Sequence, residues 1–312
     1  MSALICGSMA YDNIMVFPGR FRESILPDQL HILNVAFLVP EMRKEFGGCA
    51  GNVAYNLSAI GGDPLIMATV GADFGAYADR LAELGLDMRF VNTVDGTLTA
   101  QAYITTDLDD NQITAFHPGA MDHSHRNRIP ADAGVRIGMV SPDGRQGMIE
   151  HAEQFTAADI PFVFDPGQGL PMFDGDELRR FIEQATWVAV NDYEGQMLQE
   201  RTGWTVEEIS RRVEALVVTR GGDGSSIFAA GREVVIPPVR PGEILDPTGC
   251  GDVYRAGLLF GIMRELSWED TGRLASLLGS IKIAHRGTQN HSLSADAVAG
   301  AFEAAFGYEL SL

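Results

Sequence analysis

Short apolar runs alternate with longer amphipathic segments along most of the 312 residues. The runs end at or near Gly, Pro, Asp or Asn, which is typical of buried parallel strands. The intervening segments repeat apolar residues about every 3.6 positions, as crossover helices do. The alternation predicts an α/β fold with a doubly wound, mostly parallel sheet flanked by helices. The predicted strands include Leu65–Val70, Val135–Val140, Phe162–Phe164, Val188–Val190 and Leu216–Thr219.

Two stretches interrupt this alternation, at about residues 12–46 and 97–117. In the second, Ala100–Thr105 and Gln112–Phe116 flank the polar tripeptide 109–111, which is a hairpin pattern. Strands inserted into an α/β core without helices between them form a small separate sheet. We therefore predict one domain over residues 1–312 that carries a discontinuous β lid over the substrate crevice.

Composition and charge narrow the function classes. Apolar residues make up 46% and charged residues 21%, as in ordinary globular proteins. The formal charge of −19, with no basic cluster, makes nucleic acid an unsuitable partner. The three cysteines form no C-x-x-C pair and no apolar run is long enough for a membrane span. We expect a cytoplasmic protein with no membrane partner.

The strongest chemical motif is Leu245–Asp252, which leads directly into the amphipathic segment Val253–Leu266. Glycines just before a helix let the chain turn sharply, and several free N–H groups then point at one place beside the positive end of the helix dipole. This predicts an anion hole at Gly249, Cys250 and Gly251. A carboxylate beside it, Asp252, can accept the proton of a hydroxyl that attacks a phosphoryl group. The simpler alternative is that Asp252 only complements the helix dipole.

A second glycine-rich motif, Phe46–Leu57, also leads into a predicted helix. Gly48 permits close approach of a ligand to the backbone, and Asn52 can both donate to and accept from a hydroxyl. The structural alternative is a glycine-rich turn that packs a helix on a sheet. The P-loop motif is absent from the sequence, and Gly7–Ala10 does not supply the G-x-G-x-x-G of a dinucleotide-binding strand.

Together these motifs resemble the ribokinase-like, or PfkB-type, carbohydrate kinase family. Five segments match it in the family's order: Asp12, the pair Gly47-Gly48 with Asn52, Asn191–Glu194, Thr219–Gly224 and Asp246–Asp252. Within the family the chain looks most like the bacterial adenosine kinase branch. That likeness is carried by Cys6–Asp12, Phe46–Asn52, Ile113–Ala120 and Gly287–His291.

The resemblance implies roles for residues of the substrate site. Asp12 would accept hydrogen bonds from vicinal sugar hydroxyls, and Gly48 and Asn52 would line the same site. A nucleoside also needs a flat apolar wall for its base. Phe116 is our first choice for that wall; Phe37 and His117 are weaker ones, and each of the three has the alternative of filling the core of the lid.

The resemblance likewise implies a site for Mg²⁺ and ATP. Thr219, Gly222, Gly224 and Asn191 would contact ATP, and Glu194 would hold Mg²⁺ through water, because magnesium sheds its hydration reluctantly. A helix cap is the structural alternative for the 191–194 segment. In relatives the adenine of ATP or a monovalent cation such as K⁺ lies near the position of residues 289–291; a cation requirement stays open.

Position 250 departs from the family pattern: Ala is usual at this position in the family, and this chain has Cys. A thiol is only slightly larger, so we expect activity to persist. The alternative to a tolerated small side chain is a reactive thiol. A helix N-terminus lowers the pKa of a thiol, and a lowered pKa would make Cys250 oxidisable.

These observations predict an ATP-dependent kinase that transfers the γ-phosphoryl group to the 5′-hydroxyl of adenosine, with Asp252 as general base. One alternative is a kinase of the same family for ribose, fructose or a keto-deoxy sugar acid. Another is a non-catalytic regulator that binds the nucleotide or sugar. The expected partners are ATP and a small nucleoside or sugar, and the chain is expected to be a monomer or a homodimer formed through the lid.

Overall fold

A computed structural model describes residues 2–25, 34–109, 111–130 and 134–310. The strands of these residues are, in chain order, β1 Ser2–Cys6, β2 Ala10–Val16, β3 Glu41–Gly47, β4 Asp63–Val70, β5 Asp87–Thr93, β6 Ala100–Thr106, β7 Gln112–His117, β8 Val135–Val140, β9 Phe162–Phe164, β10 Trp187–Asn191, β11 Ala215–Thr219, β12 Ser225–Ala229 and β13 Arg232–Ile236. The helices are α1 Phe21–Ser24, α2 Cys49–Ala59, α3 Gly75–Glu83, α4 Arg145–Ala157, α5 Gly175–Gln184, α6 Asp192–Thr202, α7 Val206–Ser210, α8 Cys250–Met263, α9 Trp268–Ile283 and α10 Ala295–Phe306.

Nine strands form the central sheet, in the order β13-β12-β11-β10-β9-β8-β1-β4-β5. Strands β11 to β5 in this order pair in parallel, and β12 and β13 add an antiparallel edge. One apolar core lies between the sheet and the face covered by α2, α8, α9 and α10; a second lies under α4, α5 and α6 on the opposite face. The predicted fold class, a doubly wound and mostly parallel sheet, is confirmed.

Four further strands form a small sheet in the order β3-β2-β6-β7. Strands β6 and β7 are the arms of the predicted hairpin, and β6 pairs in parallel with β2, which carries Asp12. Residues 26–33 and 110 of the two predicted lid segments lie outside the described residues. All six residues of β7 are exposed, so this edge strand is open to a ligand or to another strand.

The first strand of the central sheet leads directly into the small sheet, and the small sheet leads back into the core. Strand β1 ends at Cys6, β2 begins at Ala10, and β3 ends at Gly47 immediately before α2. The glycine-rich start of α2 therefore lies where the two sheets meet, at the carboxyl end of β1. In parallel sheets that end is the usual place for a ligand. Among the helices of the described ranges, none combines the length and apolar character that crossing a membrane requires.

Candidate active site

Two helix N-termini place the residues of both glycine-rich motifs next to each other. The amide Nδ2 of Asn52, in the first turn of α2, donates to Oδ2 of Asp252, in the first turn of α8, at 2.8 Å. These residues are separated by 200 positions in sequence. Burial raises the pKa of Asp252 to about 6, while the hydrogen bond from Asn52 favours the ionised form. The site therefore holds a carboxylate that is ionised at neutral pH and protonates easily below it.

The backbone before α8 has the conformation that the anion-hole hypothesis requires. Gly249 is the N-cap with a left-handed φ of 80°, and a Cβ there would lie 2.9 Å from the Thr288 side chain. The N–H groups of Gly249, Gly251 and Asp252 have no acceptor among the described residues, whereas the N–H of Cys250 donates to the Pro247 carbonyl at 3.1 Å. Three free donors therefore surround the start of the helix. The N–H of Cys250, which was predicted to belong to the anion hole with those of Gly249 and Gly251, is engaged within the turn.

A buried polar network behind Asn52 was not anticipated from the sequence. Nε2 of Gln289 donates to Oδ1 of Asn52 at 3.0 Å and to the Tyr77 hydroxyl at 2.6 Å, and that hydroxyl donates to the Gly47 carbonyl at 3.0 Å. Because Oδ1 of Asn52 accepts from Gln289, its Nδ2 is fixed as the donor toward Asp252. Gln289 is 2% exposed, so it acts here as a link between α2 and the C-terminal loop.

Asp12 lies on the small sheet above the start of α2. Its carboxylate is half-buried over Gly47, and no described residue donates a hydrogen bond to it. Burial, together with the nearby charges of Glu45 and Asp246, raises the pKa of Asp12 to about 6. Gly48 has a φ of 88°, and a Cβ there would meet the backbone of Ser8 at 2.5 Å. The backbone of residues 8–10 therefore packs closely against Gly48, which is the structural alternative for this glycine, and its contact with a ligand stays a prediction. The carboxylate of Asp12, which accepts no hydrogen bond from the described residues, suits the recognition of hydroxyl groups.

The three lid aromatics lie in different environments. Phe116 on β7 is 51% exposed, and the neighbouring His117 is also exposed. The ring of Phe37 packs against Phe17 and Phe21, with centroid distances of 4.8 and 4.9 Å. Phe37 thus belongs to a local aromatic cluster, as expected if it fills the core of the lid. Phe116, in contrast, has an exposed ring face. The role of Phe116 in base binding stays a prediction.

The residues predicted to contact ATP follow two neighbouring strands. Asn191 ends β10 and pairs in register with Thr219, which ends β11. Gly222 and Gly224 lie at the tight turn 221–224 that follows β11. The side chain of Asn191 accepts from the Glu194 N–H at 2.7 Å, and Oε2 of Glu194 accepts from the Asn191 N–H at 2.9 Å. This is a capping box at the start of α6, so the helix-cap role of the segment is present, and contacts to ATP stay a prediction.

A buried arginine next to the candidate base also escaped the sequence reasoning. Arg255, one turn after Asp252 on α8, is 4% exposed. Its Nη2 lies 3.1 Å from Oδ1 of Asp165 and 4.0 Å from Oε2 of Glu194, while Nε and Nη1 are buried without a partner in the described part of the chain. The sequence feature that could have indicated this ion pair is the position of Asp165 directly after the buried strand β9, where parallel sheets carry functional side chains. Arg255 therefore links α8, the helix that carries Asp252, to one carboxylate that follows β9 and one in the first turn of α6.

The carboxylates of Asp165 and Glu194 are the acidic groups available to the Mg²⁺ that accompanies ATP. Burial raises the pKa of both Asp165 and Glu194, and their mutual repulsion adds to the shift in Glu194. Each has one carboxylate oxygen without a hydrogen bond from a described residue. No group of three acidic, His or Cys side chains capable of holding a metal occurs within the described ranges. The residues fit a hydrated Mg²⁺ held through water beside Glu194 and do not form a metal cage.

The thiol of Cys250 behaves differently from the expectation for a helix N-terminus. Burial raises the pKa of Cys250 to about 11, although the nearby Lys282 favours the thiolate. The thiol contacts the Gly279 carbonyl of α9 at 3.9 Å. Burial is the largest cause of the shift, so the thiol pKa is raised and not lowered, and Cys250 is a tolerated small side chain with little thiolate at neutral pH.

Known proteins with similar sequences and folds include nucleoside kinases. A family model described as pfkB family carbohydrate kinase matches residues 9–296. A nucleoside kinase of Burkholderia thailandensis, solved with inosine, is 53% identical with a TM-score of 0.90, and the match covers 98% of this chain and 99% of that one. The same kinase has been solved with ADP-inosine, at 54% identity, a TM-score of 0.88 and coverage of 98% and 97%. A nucleoside kinase of Methanothermobacter thermautotrophicus is 30% identical over 96% of this chain and 97% of its own.

Proposed function

Because the chain belongs to the pfkB family of carbohydrate kinases, which are phosphotransferases acting on hydroxyl groups, we propose that it is an ATP-dependent nucleoside kinase. The acceptor in this proposal is the 5′-hydroxyl of a purine ribonucleoside, with adenosine as the substrate predicted from sequence. The observation that carries the chemistry is the Asp252 carboxylate, held by Asn52 beside three free N–H groups. The nucleoside class is supported by the Burkholderia kinase, whose complexes contain inosine.

The mechanism follows from the positions of these groups. Asp252 accepts the proton of the attacking hydroxyl, and its pKa of about 6 keeps it ionised at neutral pH. The N–H groups of Gly249 and Gly251 stabilise the charge on the transferring phosphoryl group. Glu194 would hold Mg²⁺ through water, and the ion would supply positive charge to the ATP phosphates. Asn52 holds the base toward the acceptor, and Asp12 accepts hydrogen bonds from the ribose hydroxyls, which fixes the sugar for in-line attack.

The ATP and lid contacts complete this proposal. Thr219, Gly222 and Gly224 lie at the strand end beside the Asn191 cap. The N–H of Gly222 has no acceptor among the described residues and is available to a phosphate, whereas the N–H of Gly224 donates to the Gly221 carbonyl at 3.2 Å. The small sheet stands over Gly48 through β2 and β3 and excludes water from the crevice when substrate is bound. Phe116 supplies an apolar face for the base.

The charges near Asp12 separate the proposed function from one alternative within the family. A kinase for a keto-deoxy sugar acid needs Arg or Lys facing the substrate carboxylate. Asp12 instead has Glu45 and Asp246 as the charges that shift its pKa, and both are acidic. Arg43, a cation on the same strand as Glu45, is paired with Glu45 at 3.3 Å. The charges around Asp12 therefore favour a neutral polyol such as the ribose of a nucleoside. Neutral sugars such as fructose and free ribose remain alternatives that a substrate comparison decides.

A panel of acceptors tests the proposed function. With Mg·ATP, we expect ADP release to be fastest with adenosine or inosine and slower by about 10²-fold or more with ribose, fructose and 2-keto-3-deoxygluconate, because a free sugar leaves the base site empty. Initial rates at sub-saturating acceptor give the kcat/KM ratios directly. A free sugar as the best acceptor would overturn the nucleoside assignment while preserving the kinase, and silence with every acceptor would favour the non-catalytic regulator.

The pKa of the candidate base predicts a pH dependence. Burial raises the pKa of Asp252 to about 6, so the ionised base is lost as the pH falls through that value, and kcat is expected to fall about tenfold per pH unit below it. Above it kcat is expected to level off. A kcat profile at saturating adenosine and ATP reports the pKa of the base in the bound enzyme, which the negative phosphate charge raises above that of the free protein. The same profile separates the base from effects of Asp12 on binding. A kcat that is unchanged down to about pH 4.5 would contradict the role of Asp252 as a base.

The small sheet also bears on the oligomeric state. Strands β3 and β7 are its two edges, and each pairs with one neighbour in the described chain. An unpaired edge can accept a strand from a second copy, which is the lid-mediated homodimer, or stay solvated in a monomer. The choice between these two states stays a prediction.

A further inference from the structure

Lys282 is a buried cation that the mechanism above does not use. It lies near the end of α9 and its side chain is 0% exposed, whereas lysine is almost never fully buried unless its charge is paired. Its ammonium donates to two backbone carbonyls, of Asp246 at 2.7 Å and of His285 at 3.3 Å. No carboxylate of the described residues lies within ion-pair distance of it. The charge is therefore held by neutral carbonyl oxygens, which is how proteins hold dehydrated monovalent cations.

The two carbonyls belong to the loops that shape the anion hole. Asp246 opens the turn before α8, and its carboxylate accepts from the N–H groups of Thr248 and Gly287, each at 2.9 Å. The N–H groups of Leu245 and Asp246 donate to the Ile283 carbonyl, one residue after the lysine. Lys282 thus joins the loop that leads to Gly249 to the C-terminal loop. Removing its charge would leave both loops without their shared partner.

The electrostatic position of Lys282 matches the chemistry at the site. Burial lowers the pKa of Lys282, while the negative charges of Asp246 and Asp252 favour its ammonium form. The same ammonium favours the ionised form of the Cys250 thiol, so its field reaches the first turn of α8. A fixed positive charge whose field reaches these N–H donors stabilises negative charge that develops on a phosphoryl oxygen bound to them.

We infer that Lys282 is a positioning residue whose ammonium fixes the anion-hole loops as a built-in monovalent cation, so that the enzyme needs no bound K⁺. This inference rests on the proposed kinase function. The Asp246 and His285 carbonyls that a free cation would use already accept from the lysine. Removing the side chain beyond Cβ would open a space lined by these carbonyls, in which a small monovalent cation can replace the lost ammonium.

The test compares Lys282→Ala and Lys282→Met in KCl, NH₄Cl and tetramethylammonium chloride at constant ionic strength. The wild type is expected to have the same kcat in all three salts. Lys282→Ala is expected to lose about 10²-fold in kcat in tetramethylammonium and to recover at least tenfold in K⁺ or NH₄⁺. Lys282→Met fills the space with an apolar chain and is expected to stay impaired in every salt. Arg89→Met, which removes an exposed charge on β5, is the control and should show no salt-specific change.

A binding readout separates this inference from the proposed function. The melting temperature of Lys282→Ala is expected to rise with K⁺ relative to tetramethylammonium, whereas that of the wild type is not, and this holds even if no acceptor is phosphorylated. Activation of the wild type by K⁺ would overturn the inference even if neither variant folds. A folded Lys282→Ala that responds to no monovalent cation, in melting temperature or in kcat, would also overturn it.

Discussion

Asp252→Asn is expected to lower kcat by about 10²–10⁴-fold while leaving the Kd values for ADP and nucleoside within a few-fold of wild type. The amide has the size of the carboxylate and its oxygen can still accept from Nδ2 of Asn52, which donates at 2.8 Å in the wild type. What the variant lacks is a group that takes a proton from the attacking hydroxyl. The measurement is steady-state kinetics with adenosine together with calorimetric titration of ADP.

The control for this prediction is Asp176→Asn, an acidic residue in the first turn of α5. Its side chain is 84% exposed and complements a helix dipole, which is the role that Asp252 would have without catalysis. Both variants should fold and bind ADP, and only Asp252→Asn should lose turnover. A kcat for Asp252→Asn close to that of the wild type would contradict the role of Asp252 as general base and would leave it the role of complementing the helix dipole.

Arg255→Met is expected to have the largest effect on stability, a loss of about 3–5 kcal/mol in the free energy of unfolding at neutral pH. The substitution keeps the apolar length of the side chain but leaves Asp165 and Glu194 buried without their countercharge. The pKa values of both carboxyls are already raised by burial with the arginine present, and its removal raises them further. Urea denaturation of wild type and variant measures the difference.

The pH dependence of that loss has a definite sign. A carboxyl whose pKa is higher in the folded than in the unfolded state binds protons preferentially in the folded state, so its contribution to stability falls as the pH rises above the unfolded pKa. In Arg255→Met this deficit is largest at neutral pH and shrinks as the pH falls toward the ordinary carboxyl range. Adding Asp165→Asn to the variant should recover part of the loss. The exposed control Arg89→Met should cost no more than about 1 kcal/mol. Equal stability of Arg255→Met and wild type would contradict the pairing.

The central sheet and the motif glycines could be predicted because their causes are local. Runs such as Val135–Val140 are short, apolar and followed by turn residues, which predicts buried strands, and the structure has β8 over the same residues. Positive φ at Gly48 and Gly249 follows from a sharp turn before a helix. The proximity of Asn52 and Asp252 was predictable only through the family resemblance, because no local pattern relates residues that are 200 positions apart.

The residues that were missed owe their roles to tertiary contacts. In the sequence Arg255 has the context of an ordinary helical arginine. Its ion pair exists only because the fold brings Asp165, the residue after β9, next to it. Lys282 has the sequence context of a lysine near a helix C-terminus, where it would complement the dipole on the surface, yet the loop at Asp246 covers it completely. The choice between the two alternatives for Cys250 also depended on a tertiary contact, because the burial of its thiol against α9 raises the pKa and no local pattern in the sequence predicts that burial.

The most direct test of the nucleoside kinase proposal is to identify the product formed from adenosine and Mg·ATP by phosphorus NMR and mass spectrometry, with 5′-deoxyadenosine as the matched acceptor that lacks the attacking hydroxyl. We expect adenosine 5′-monophosphate and an equal amount of ADP, and no phosphorylated product from 5′-deoxyadenosine. Phosphate on another hydroxyl, or ADP formed without a phosphorylated nucleoside, would contradict it.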